Sequence, residues 1–167
     1  VLWKTILSFF QLSIKIRFLT PFIHHSLKKK PYSWLWPLLK SDWIESIHGP
    51  KAIHNTLLIK LFDLAIYNLP NQKIGLYLFE GQAWERIFIY FWRKYGHGRL
   101  IGYGHAALSL WYLTYFNDKR TLISTKTSKI PQPDQIAVNG RSMRKMMEAA
   151  HYELEFIVDV EALRYLY

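Results

Sequence analysis

Cysteine is absent from all 167 residues, which removes disulfides, thiolate zinc sites and cysteine nucleophiles at once and suits a reducing compartment. Catalytic signatures are missing as well. No His-Glu-x-x-His, Gly-x-Ser-x-Gly, Gly-x-Gly-x-x-Gly or Walker sequence occurs, so metallohydrolase and serine hydrolase readings have no support, and neither a metal nor a cofactor is expected. Acidic residues are scarce, with 12 Asp and Glu against 22 Lys and Arg for a net charge of +10. That excess favours phosphate-bearing partners. No nucleic-acid-binding motif accompanies it, so nucleic acid is not expected among them. Long uninterrupted apolar runs are lacking too: Lys4, Lys15 and Arg17 break the first 25 residues and His24 and His25 close them. No run approaches the roughly 18 to 20 residues of a spanning helix, and a soluble or peripheral chain is expected.

What is present is a core. Half of the residues are hydrophobic and 17% are aromatic, enough for one domain with an extra arm. Residues 1–48 read as that arm, partly helical, with Pro21, Pro31 and Pro37 breaking it. The run Lys28-Lys29-Lys30 suits a solvated turn or contact with an anionic membrane surface. Residues 49–157 read as an α/β domain. Asn55 and Thr56 are placed to cap a helix of about three turns carrying Leu57, Leu58, Leu61, Phe62, Ala65 and Ile66. Ile74 to Phe79 is continuously apolar, the pattern of a strand buried on both faces of a parallel sheet. Trp84, Ile87, Phe88, Phe91, Trp92 and Tyr95 stripe one side of a helix that Gly96 to Gly98 end. Leu100 to Gly104 and Gln135 to Val138 read as further strands, with a polar surface loop near 117–133 between them. Met143, Met146, Met147 and Ala150 give a last amphipathic helix. This order predicts a Rossmann-like parallel sheet flanked by helices.

In such sheets ligands bind beyond the carboxyl ends of the strands. Those ends carry Glu80, His105 and Asn139. Glu80 lies between a buried strand and a helix start, a partly desolvated setting that suits a general base, although a helix cap or an Arg partner would also account for it. His105 follows Gly102 and Gly104, which permit close backbone approach, and its imidazole can bond a phosphate or hydroxyl or shuttle a proton. Gln82 can reach a sugar hydroxyl, whereas Glu85 suits the positive end of a helix. Asn139-Gly140 fits a tight turn as well as a phosphate loop. His97, in a turn at the amino end of the sheet, reads as a packing residue.

These residues bear a likeness in order and spacing. Leu76 to Glu85, Gly96 to Gly102 with His105, Trp111 with Tyr115, Phe116 and Asp118, Pro131 to Gly140, and Glu161 to Leu166 together resemble a family of bacterial surface carbohydrate biosynthesis proteins, over roughly residues 35 to 167. Gly81, Ala83, Tyr112 and Thr114 depart from its pattern. The resemblance implies a glycosyltransferase of the two-domain GT-B type for O-antigen or capsule polysaccharide, of which this chain would be a fragment carrying the acceptor side. It implies Glu80 and His105 as catalytic, with Glu80 the base, and Gln82, Glu85, Trp111, Asn139 and Gly140 as substrate-binding. Residues 158–167 would begin a helix leading to a second domain holding most of the nucleotide sugar. The acceptor would be a glycan or lipid-linked glycan, the location cytoplasmic or peripheral at the inner membrane, and the fragment alone inactive. A non-catalytic glycan- or membrane-binding scaffold module is the alternative.

Overall fold

A computed structural model describes residues 2–28, 33–105, 113–122 and 130–161. The chain divides into two compact units, Val1–Leu64 and Ala65–Tyr167. The division falls inside a helix instead of at the arm boundary read from the sequence.

The first unit is helical. Helix α1 (Leu2–Lys28) runs unbroken through Pro21, because a proline costs one intrahelical hydrogen bond without ending a long helix supported elsewhere along its length. By length and composition α1 can cross a membrane, contrary to the expectation that Lys4, Lys15 and Arg17 divide the segment too finely. Three cations scattered over the 25 residues Leu2–Ser26 leave enough apolar surface between them. Helix α2 (Trp36–His48) has Pro37 in its first turn, where the missing N–H is not needed. Pro31 and Lys29-Lys30 lie outside the described residues. Helix α3 (Pro50–Asn68) starts at Pro50 for the same reason and spans 19 residues, longer than the three turns expected. Asn55 and Thr56 are therefore interior, and Thr56 Oγ1 donates to Ala52 O at 2.7 Å inside the helix instead of capping it.

The second unit is α/β. Strands β1 (Ile74–Leu78), β2 (Arg99–Gly104), β3 (Gln135–Val138) and β4 (Ile157–Asp159) form a parallel sheet in the order β1-β2-β3-β4. Between them stand helices α4 (Ala83–Lys94), α5 (Lys119–Leu122) and α6 (Arg141–Ala149). Strand β4 occupies part of the segment read as the start of a linking helix, and residues 162–167 lie outside the description. Helix α5 stands inside the stretch near 117–133 read as a surface loop.

Right-handed crossovers between strands in consecutive order place their helices on one side of the sheet. That side carries Gly75, Tyr77, Leu100, Gly102, Gly104, Ile136, Val138 and Ile157, mostly buried. Gly75 admits the Trp92 ring of α4, since a Cβ there would sit 2.6 Å from it. The other side carries Ile74, Leu76 and Leu78, all exposed. Strand β1, at the edge of the sheet, is thus covered on one face, not the doubly buried strand its continuous apolar run suggests. Which layers pack on the sheet, which a single segment cannot encode, decides this.

Helix α4 is set by local chemistry at both ends. Gln82 and Glu85 form a capping box at its start. Gly96, with φ +72°, ends it, with Gly96 N–H donating to Arg93 O and His97 N–H to Trp92 O. His97 is buried beside this turn: its Nδ1 accepts the Gln72 N–H at 3.1 Å, and its Nε2 faces Ile66 O at 3.3 Å. It packs the amino end of the sheet, as expected.

Candidate functional site

Strand register brings the chemistry together. Tyr77 pairs with Gly102 and Leu78 with Tyr103, while Gly104 pairs with Val138. Consequently β1, β2 and β3 release Glu80, His105 and Asn139 at one rim of the sheet. Glu80 Oε1 lies 3.8 Å from His105 Nε2, and the two side chains are 39% and 37% exposed. A hydroxyl bonded to that carboxylate can also meet the imidazole. Asn139 Nδ2 donates to His105 O at 3.1 Å, tying the exits of β2 and β3. Its amide fixes main chain, and Gly140 begins helix α6 in a backbone conformation, φ +147°, that favours glycine.

The exit of β1 is held more heavily. Phe79 N–H donates to Tyr103 O at 2.9 Å, extending the ladder one residue past the strand. Tyr115 Oη donates to Phe79 O at 2.9 Å, and Thr114 Oγ1 donates to Glu80 O at 3.2 Å. From below, Glu85 Oε1 accepts the N–H groups of Glu80 at 2.9 Å and of Gln82 at 2.7 Å. Gly81 makes this turn possible with φ +74°. Asn117, bonded to Arg86 at 2.8 Å, braces the same region.

The two acidic residues of the turn have exchanged the environments expected of them. Glu85 is the desolvated carboxylate, 2% exposed, and burial raises its pKa against the lowering effect of the Gln82 and Glu80 N–H bonds. Glu80 stands at the solvent-facing rim. Glu85 holds the loop in place, and Gln82 caps the helix. Trp111, and with it Tyr112, lies outside the described residues.

Thr114, Tyr115 and Asn117 were not singled out as site residues by sequence reasoning. Each acts over a separation of more than 30 positions, and no local pattern marks such a partner. Nearby, burial raises the Tyr152 hydroxyl to about 12, and Tyr152 Oη lies 3.4 Å from Asn117 Nδ2. A separate open cleft of about 760 Å³, lined by Ile89, Arg93, Asp134, Tyr152 and Phe156 among others, sits toward the amino ends of β3 and β4. It does not include Glu80 or His105. Among the described residues no cluster of His, Asp and Glu suited to a metal ion occurs.

No family model, curated protein or solved structure matches the chain.

Proposed function

We propose that the Glu80–His105 pair is the acceptor-side centre of a glycosyltransferase acting on bacterial surface polysaccharide. The observation that carries this reading is the approach of the Glu80 carboxylate to the His105 imidazole, 3.8 Å apart at the carboxyl ends of adjacent parallel strands. In this reading Glu80 takes the proton of an acceptor hydroxyl as its oxygen bonds to the sugar carbon. The bond from that carbon to the nucleotide phosphate breaks, and the nucleotide leaves with the bonding electrons. His105 orients the hydroxyl. A nucleotide sugar is the donor, held mainly by a second Rossmann-like domain as the family resemblance implies, and a glycan or lipid-linked glycan is the acceptor.

The test is transfer by the complete gene product across CMP-, UDP-, GDP- and dTDP-sugars, with wild type beside Glu80→Gln. Loss of about 10²-fold or more in turnover, with the fold unchanged by circular dichroism, is the expected result of removing a general base. Turnover by the variant within a few-fold of wild type overturns the assignment. Residues 1–167 alone are expected to be inactive. A non-catalytic glycan-binding module is the second reading, favoured by the exposure of both side chains; binding of a glycan without turnover of any donor by the folded full-length protein would select it.

A further inference from the structure

Water-soluble helix pairs put apolar side chains in the seam and polar ones outside. The α1–α2 pair departs from this. Its seam mixes apolar and hydrogen-bonding groups: Ile47 is buried, Ser13 Oγ donates to Ile47 O at 3.4 Å, and Thr20 Oγ1 accepts the Trp43 indole N–H at 3.3 Å. The His24 ring lies 4.9 Å from that of Trp36. Among the described residues of this unit only Thr5, Ile47, Ala52 and Thr56 are buried. Phe9, Ile16 and Ile23 are half-buried, but most large apolar side chains of α1 are exposed. Trp3, Leu7, Phe10, Ile14 and Phe18 recur every three or four residues and form one stripe along the helix, each between 52% and 79% exposed. Hydroxyl-bearing seams with aliphatic and aromatic exteriors are how helices pack in lipid, where acyl chains replace the core as the apolar partner.

Charge selects both the surface and the orientation. At about 100° per residue, Lys4 and Lys15 fall on one flank of the stripe and Arg17 on the other. Lys15 and Arg17 are midway along α1, so a helix standing upright would carry both toward the bilayer centre, where cations are strongly disfavoured. A helix lying flat lets them reach the headgroups while the stripe sinks between acyl chains. A second copy fits poorly as the cover, because stripe against stripe would bring the flanking cations of both chains together. We infer that α1 is an in-plane membrane anchor, with the Trp3–Phe18 stripe in the acyl region and Lys4, Lys15 and Arg17 on the phosphates of anionic lipid. This binding is independent of whether the second unit transfers sugars.

The test is co-sedimentation of the whole chain with vesicles of phosphatidylcholine alone and with 30 mol % phosphatidylglycerol. Three proteins are compared: wild type, Leu7→Ser/Phe10→Ser/Ile14→Ser, and Lys15→Gln/Arg17→Gln, each checked for retained helicity. Wild type is expected to partition onto the anionic vesicles. The stripe variant is expected to bind at least about tenfold more weakly, and the charge variant roughly 25-fold more weakly on anionic vesicles, about fivefold per cation. The charge variant keeps the stripe intact, so it tests the inference even if the triple-serine chain misfolds. No binding by wild type, or equal binding by both folded variants, overturns the inference. So does a dimer that the stripe substitutions dissociate in the absence of lipid binding. Membranes from cells expressing the chain, washed at alkaline pH, should release an in-plane helix; retention would show a spanning one and overturn the orientation.

Discussion

Replacing Glu85 with Ala removes the acceptor that fixes the loop bearing Glu80. Two N–H groups, of Glu80 at 2.9 Å and Gln82 at 2.7 Å, lose their partner. Hydrogen bonds to charged groups contribute about 1.5–3 kcal/mol each, but the carboxylate is buried and its desolvation offsets part of that. A net loss of about 2 kcal/mol follows, near the upper end of measured helix-cap deletions. Glu85→Gln keeps an oxygen facing both N–H groups and deletes the buried charge, so it should lie within about 1 kcal/mol of wild type. The pH dependence separates the two effects. Burial raises the Glu85 pKa above its ordinary 4.5, so the folded protein holds this proton more tightly than the unfolded chain does. That contribution is fully present below the unfolded value and is lost as pH rises through the higher folded value. Glu85→Gln has no such loss, so its stability relative to wild type should grow across this window. Because the chain has two units, local opening is the better assay: hydrogen exchange at the Glu80 and Gln82 amides, measured from below pH 4.5 to pH 7. Unchanged protection of both amides in Glu85→Ala, or parallel pH slopes for wild type and Glu85→Gln, would refute the reasoning.

Asn139→Ala removes the side-chain bond to His105 O and should cost about 1 kcal/mol in urea denaturation. In the complete protein it should also lower turnover by loosening His105, which rescue by Asn139→Gln would not be expected to restore, since the longer side chain displaces the amide. Gly81→Ala adds a Cβ 2.9 Å from Thr114 O at φ +74°, and a loss of about 1–2 kcal/mol is expected by thermal denaturation. A wild-type melting temperature in that variant would mean that the turn relaxes freely.

Much of the second unit was legible because its signals are local. The stripe from Trp84 to Tyr95 is a helix, Gly96 stops it, and β3 spans Gln135–Val138. Strand-end logic placed Glu80, His105 and Asn139 on one rim with no knowledge of register, since parallel strands of similar length release their next residues on the same side. The open face of β1 was not legible, because a run of apolar residues says that a strand is apolar and not which layers cover it. Fourth strand β4 is three residues long, too short for any periodicity to mark.

The sequence by itself determined strands β1 to β3, helices α4 and α6, their order and the parallel sheet, because capping, turn chemistry and side-chain period are properties of a few neighbouring residues. It also nominated the rim residues. Only the tertiary structure decided that Glu80 and His105 approach within 3.8 Å, that Glu85 is the buried carboxylate, and that α1 turns its hydroxyls inward and its aromatic stripe outward. Each of these depends on which distant segment lies alongside, and burial is set by those long-range neighbours and not by the residue's own chemistry.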